Sequence, residues 1–147
     1  MKFAEPKVLE GNIFTDDRGV LTFNNDFSFA NIKRFYTVHN HAQNFIRAWH
    51  AHKYEEKYFL CAEGSFMIYG IKIDNFENPS KNQEVKKFYL SNNGSLLYIP
   101  SGYANGFINL TKENKLIIFS NKTLKESTND DYRFEYNYWD VWKTNYR

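Results

Sequence analysis

The sequence predicts an all-β fold, a sandwich or barrel. Short runs rich in aromatic and β-branched residues recur along the chain. Clusters of Gly, Asn, Asp, Ser and Pro separate them, which is turn chemistry. No segment carries the long apolar stripe of period 3.6 that a helix needs, and no repeat or low-complexity tract interrupts the pattern. Many short strands at this spacing need two packed layers or a closed barrel to bury their apolar faces.

Taken in order, the first strand covers 20–24, after the turn Asp16-Asp17-Arg18-Gly19. Strands at 33–39 and 45–52 follow, the second rich in aromatic residues and histidine. Glu63-Gly64-Ser65 joins a strand at 57–61 to one at 65–72. A polar stretch, 75–82, leads to a strand at 85–90, and Asn92-Asn93-Gly94 leads to one at 96–99. Pro100-Ser101-Gly102 precedes strands at 106–110 and 116–121. Residues 123–131 begin with a cap-like Thr123 and are polar, which fits one short helical turn or a loop. The tail, 136–147, carries Trp139 and Trp142 and is expected to dock on the body, because burying an indole is strongly favourable.

A chain of 147 residues fits one domain, 1–147. Net charge is +2, which points to no nucleic-acid or membrane partner. The N-terminus has no apolar run of signal-peptide length, and no stretch approaches the roughly 20 apolar residues of a membrane span, so a cytoplasmic protein is expected. The single cysteine, Cys61, reads as a buried, inert strand thiol. Aromatic residues make up 19% of the chain, more than packing alone needs, and suit a pocket that stacks rings and hydrogen-bonds hydroxyls.

Two motifs carry chemistry. In Arg47-Ala48-Trp49-His50-Ala51-His52, strand geometry puts His50 and His52 on one face, and Glu56 and Gly64 follow. Further on, Gly94, Pro100, Gly102, Asn105 and Asn109 match the spacing of Gly, five residues, Pro-x-Gly, two residues, His, three residues, Asn, with Asn105 in the place of the histidine. Together these resemble the two motifs of the cupins, in order and at the right separation. The resemblance implies a jelly-roll barrel of two antiparallel sheets, with the histidines inside and the C-terminal tail packed on the barrel. An amide is a poor ligand for the metals that imidazole suits. The expectation is therefore a site with no metal and no cofactor, its histidines available for proton transfer; a metal held by His50, His52 and Glu56 is the alternative.

A closer resemblance spans residues 13–120. Asp17-Arg18-Gly19, the block from Arg47 to His50, Lys57 seven residues before Gly64, and the run from Ile99 to Phe107 are similar to the dTDP-4-dehydrorhamnose 3,5-epimerase family. Ile32-Lys33-Arg34-Phe35-Tyr36 and Arg47 to Lys53 are similar to the dTDP-sugar 3,4-ketoisomerases. The resemblance implies His50 as general base, near an ordinary imidazole pKa. It implies Lys57 as the cation facing a developing enolate. Arg18 and Arg47 match anion contacts, where a guanidinium grips a diphosphate bidentately. On an ideal strand, however, Arg47 points away from His50, so it needs a bulge or a different target. His52 matches a second histidine that relays or orients, Tyr36 is a candidate acid, and Tyr103 and Asn105 are candidate substrate contacts.

The chain also departs from the epimerase pattern. Phe119 falls where that family places its acidic tyrosine, and the C-terminal extension that supplies an aspartate to the histidine is expected to be missing. Ala48 replaces a glycine. The leading expectation is epimerisation at C3, C5 or both of a nucleoside-diphosphate-linked (thymidine by resemblance) 4-keto-6-deoxyhexose, in surface polysaccharide sugar biosynthesis. The alternative is 3,4-ketoisomerisation of the same sugar; a third reading is a non-catalytic sugar- or metal-binding cupin. Both enzyme families imply a homodimer, with strands 20–24 and 33–39 as the segments that cross to the partner.

Overall fold

Alternation decides which residues of each strand go inside. In β6 (Lys57–Glu63), Lys57, Phe59 and Cys61 are buried. In β11 (Lys115–Ser120), Leu116, Ile118 and Ser120 are buried. These inward sets pack together because successive side chains of a strand point to opposite faces.

The computed structural model describes residues 3–143. Two five-stranded antiparallel sheets face each other. One has the order β1 (Lys7–Leu9), β9 (Leu96–Ile99), β6, β11 and β4 (Arg34–Val38). The other has the order β12 (Tyr132–Arg133), β5 (Ile46–His52), β10 (Tyr103–Asn109), β7 (Ser65–Lys72) and β8 (Val85–Ser91). The core between them joins Phe59, Leu116 and Ile118 of the first sheet to Phe66, Ile68 and Phe107 of the second. This is the expected two-sheet barrel.

The second sheet is covered on its outer face as well. Trp49, Tyr69, Ile71 and Ala104 point away from the barrel interior and pack against Phe134, Tyr138, Trp139 and Trp142 of the C-terminal segment. Trp139 is 3% exposed, its indole N–H donating to Ser80 O at 3.0 Å. The tail therefore docks as expected; residues 144–147 of it, like Met1 and Lys2, lie outside the described residues. Burial on both faces explains why every residue of β10 is buried and why β7 reads as a near-continuous apolar run.

Each of the nine expected strands is present. Three more are short: β1, β12 and β2 (Asn12–Asp16), which forms a separate hairpin with β3 (Gly19–Phe23). Residues 123–131 contain α1 (Leu124–Thr128), set by a capping box between Thr123 and Glu126. Residues 33–39 contain β4, the edge strand of its sheet, which pairs with β11.

Between β6 and β7, Gly64 turns at φ +75°, and a Cβ there would lie 2.1 Å from Thr111 Oγ1. Cys61 is buried, donates to Gly64 O at 3.1 Å, and its thiol is pushed up to about 11 by burial. Among the described residues, no helix is long and apolar enough to cross a membrane.

Candidate active site

A β-bulge builds the site. Asn105 pairs with His50 and Phe107 with Arg47, so two residues of β5, Ala48 and Trp49, stand opposite the single Gly106 of β10. The extra residue reverses the alternation and brings Arg47 to the same cavity as His50. Gly106 is what the bulge requires: a Cβ there would lie 2.7 Å from Ala48 Cβ and 2.8 Å from Trp49 Cε3.

The resulting cavity, about 310 Å³, lies between the sheets. The second sheet contributes Arg47, His50 and Asn105; the first contributes Tyr36 from β4 and Lys57 from β6. Val38, Ile46, Phe107 and Ile118 form its apolar wall. His50 also borders a larger open groove, about 660 Å³, between β5 and the segment from Arg133 to Tyr136. Five of the eight candidate residues thus converge on one space.

His50 Nδ1 lies 3.8 Å from Asp131 Oδ1. The other oxygen of Asp131 accepts from Arg133 Nε at 2.9 Å. Strand β12 carries this carboxylate into place, with Arg133 directly opposite His50. Burial pushes His50 down to about 4; Lys57 acts in the same direction and Asp131 against it, while Arg133 and His52 add smaller downward effects. The imidazole is therefore neutral at pH 7, the form that can accept a proton. Asn105 Nδ2 donates to the His50 carbonyl at 3.3 Å, which ties His50 to the neighbouring strand.

Lys57 is 7% exposed and reaches the cavity from the opposite sheet. Among the described residues, no carboxylate lies within ion-pair distance of its ammonium. A buried cation without a close counter-charge is costly unless an anion arrives.

The other candidates lie elsewhere. His52 is buried outside the cavity wall: its Nδ1 donates to Asp130 O at 2.6 Å, and its Nε2 is 3.2 Å from Glu55 Oε2 without hydrogen-bonding geometry. The cause is Asp130, whose carboxylate accepts from the backbone N–H of Lys53, Tyr54 and Glu55 and winds the β5–β6 connection around itself. Tyr103 lines a separate cavity with Glu5 and Lys86. Arg18 sits on the hairpin, paired to Asp16 at 2.6 Å, with 82% of its side chain exposed.

Glu56 turns to Tyr98 and Asn121, so the alternative set of His50, His52 and Glu56 does not converge. No group of three or more His, Cys, Asp or Glu among the described residues is placed to hold a metal ion.

Two expectations about the departures are corrected as well. Phe119 faces outward, packed on Phe27 and Phe29, so a tyrosine there would not reach His50; Ile118 faces the cavity instead. A carboxylate does stand beside His50, supplied by Asp131 from within the chain. In the sequence Asn129-Asp130-Asp131 looks like solvated loop, which hides Asp131. The available signal was the alternating Tyr132-Arg133-Phe134 that follows, a short strand pattern.

A family model described as WxcM-like, C-terminal, matches residues 4–143. The chain belongs to the WxcM-like, C-terminal family. No curated protein matches it in sequence. Among solved structures, the sugar 3,4-ketoisomerase QdtA from Thermoanaerobacterium thermosaccharolyticum, solved with TDP, is 23% identical; the match covers 95% of each chain at a TM-score of 0.69. A 3,4-ketoisomerase from Helicobacter canadensis is 22% identical over 93% of this chain and 96% of that one, at a TM-score of 0.68. The dTDP-4-dehydrorhamnose 3,5-epimerase from Bacillus anthracis is 19% identical over 93% and 82%, at a TM-score of 0.74. At these identities the likeness establishes the fold, and this WxcM-like chain has the cupin barrel expected from its motifs.

Proposed function

We propose that the chain is a carbohydrate isomerase acting on a nucleoside-diphosphate-linked 4-keto-6-deoxyhexose, and that it catalyses 3,4-ketoisomerisation. The observation that carries the proposal is a neutral imidazole, His50, facing a buried cation, Lys57, across one cavity. A proton on the carbon beside a ketone is acidic only as far as the enolate oxygen is stabilised. With Nδ1 turned to Asp131, His50 has Nε2 for the C3 proton. As the C3–H bond breaks, its electron pair forms the C3–C4 double bond and the C4 carbonyl electrons move to oxygen. Lys57 stabilises that oxygen, and Asp131 stabilises the imidazolium. A proton then passes from O3 to O4, with the Tyr36 hydroxyl as its carrier. The imidazolium returns its proton to C4, leaving a 3-ketone. No net charge or atom is lost.

Return from the side of abstraction suits this cavity, because the β11 wall presents Ile118 and no acid. The end-to-end match to solved ketoisomerases supports the same reading. Epimerisation at C3 or C5 is the second reading. Lys57, seven residues before Gly64, matches the epimerase pattern, where ketoisomerases carry glutamine.

Arg47 is the diphosphate contact in this proposal, and Asn105 holds the base strand. A homodimer is also proposed. On the β2–β3 hairpin, Phe14 and Leu21 on one face and Ile13 and Val20 on the other are more than half exposed, apolar surface that a second copy would cover and that would carry Arg18 with it.

The test is NMR analysis of the product formed from dTDP-4-keto-6-deoxyglucose. A 3-keto sugar is the expected product. A 4-keto epimer would instead establish the second reading, and an unchanged substrate bound tightly would leave only a binding protein.

A further inference from the structure

Arg47 lies at the cavity wall with its side chain toward solvent, yet it is held in one place. Its Nε donates to Asn40 Oδ1 at 2.7 Å. Asn40 follows β4, is 2% exposed, and is fixed from every side. Its Nδ2 donates to Asn109 Oδ1 at 2.9 Å, and its backbone N–H donates to Asn114 Oδ1 at 2.8 Å. Asn114 Nδ2 returns a bond to Asn40 O at 3.0 Å.

This network leaves Asn40 one orientation. Asn109 is fully buried, and its Nδ2 donates to the carbonyls of Ala42 and Thr111, both at 3.0 Å. Its Oδ1 must therefore face Asn40 and the Phe45 N–H, which donates to it at 3.0 Å. An oxygen there demands the NH₂ of Asn40, so the Asn40 oxygen must face Arg47. The Arg47 guanidinium is thus anchored through Nε and has its two Nη groups for an acceptor. Among the described residues no carboxylate pairs with it. A neutral amide restrains the arginine without cancelling its charge, which an aspartate would do.

Resting on the reading of Arg47 as the diphosphate contact, we propose that Asn40 is a positioning residue. Seated on the buried Asn109 and Asn114, it pre-orients Arg47 as a two-pronged clamp for the diphosphate of the substrate. An exposed arginine otherwise loses several rotamers when it binds; here that loss is made at folding.

The experiment is calorimetric titration of dTDP into the wild type, Asn40→Ala, Arg47→Ala, the double variant, Arg47→Lys and Asn114→Ala, with Tm measured for each. Asn40→Ala is expected to weaken dTDP by about 2- to 10-fold, the cost of one freed rotamer-rich side chain. That loss disappears in the Arg47→Ala background, since Asn40 acts only through Arg47. Asn114→Ala, which loosens the backbone seat of Asn40, lowers Tm and weakens dTDP by no more than Asn40→Ala does. Arg47→Lys, a surface change independent of how the Asn40 variants fold, binds nearly as weakly as Arg47→Ala.

Unchanged affinity in Asn40→Ala, an equal loss in both arginine backgrounds, or full affinity in Arg47→Lys would overturn the positioning role alone. Wild-type protein that fails to bind dTDP would overturn the nucleotide reading and this role with it.

Discussion

His50 and Asp131 sit 81 residues apart in sequence; Asp131 immediately precedes the strand whose Arg133 pairs with His50, and Nδ1 and Oδ1 are separated by 3.8 Å. The carboxylate is too far for a strong hydrogen bond to a neutral ring but well placed to stabilise a charged one. In the proposed mechanism it therefore acts when His50 accepts a proton. Asp131→Asn is expected to lower kcat by about tenfold or more, worth roughly 1.4 kcal/mol of that stabilisation, with KM little changed. Steady-state kinetics will test this; an unchanged kcat would remove Asp131 from the mechanism.

Lys57→Met keeps the stem and removes the charge. Turnover should fall about 10²- to 10³-fold, as when one oxyanion-stabilising group is lost. Stability should hold or rise, because a buried cation without a close counter-charge is replaced by an apolar group. Single-turnover rates with parallel thermal melts separate the two effects. A large fall in Tm would mean that Lys57 is structural.

The burial that lowers His50 sets the pH behaviour. With the folded ring titrating at about 4, kcat/KM should stay level from neutral pH until the pH approaches 4, instead of falling through 6.5. Stability moves with it. Between the ordinary imidazole value and the lowered one, the unfolded chain binds a proton that the folded chain does not, so stability rises with pH across that window and is lost on acidification. His52 is lowered as well, first by burial and then by Lys57, and adds to the same slope. Denaturant titrations from pH 4 to 7 should show the slope, and His50→Asn should flatten it. A wild-type stability that is constant over this range would contradict the placement of both rings.

Gly106→Ala probes the bulge. The added methyl would lie under 3 Å from Ala48 and Trp49, so the strand must shift, at about 1–3 kcal/mol. Because the bulge also sets Arg47 and His50 on one cavity, activity should fall further than the lost stability explains. A variant with wild-type Tm and rate would show that the bulge is dispensable.

Much of this was legible in the sequence, for physical reasons. Strand alternation and turn residues located nine strands, and the two motif spacings placed His50, Lys57, Arg47 and Asn105 around one cavity. The parity of β5 already required a bulge before Arg47 could join His50, and Gly106 opposite it is where the chain permits one. What stayed hidden depends on contacts that local pattern does not encode. Asp131 reaches His50 only because a two-residue strand pairs with β5. His52 is held outside the cavity by Asp130, from a loop 78 residues away. Phe119 was placed at the site by similarity of sequence, and its register on β11 turns it outward.

The most direct measurement is carbon-bound deuterium exchange in heavy water with dTDP-4-keto-6-deoxyglucose, compared between the wild type and His50→Asn. The account predicts that the wild type remakes a C–H bond on a carbon beside the carbonyl, seen as deuterium incorporation or as protium carried from C3 to C4 of a 3-keto product, slowed in the variant by about 10²- to 10⁴-fold, the contribution of a positioned general base. Equal rates in both proteins, or neither incorporation nor carbon-to-carbon transfer by the wild type, would contradict it.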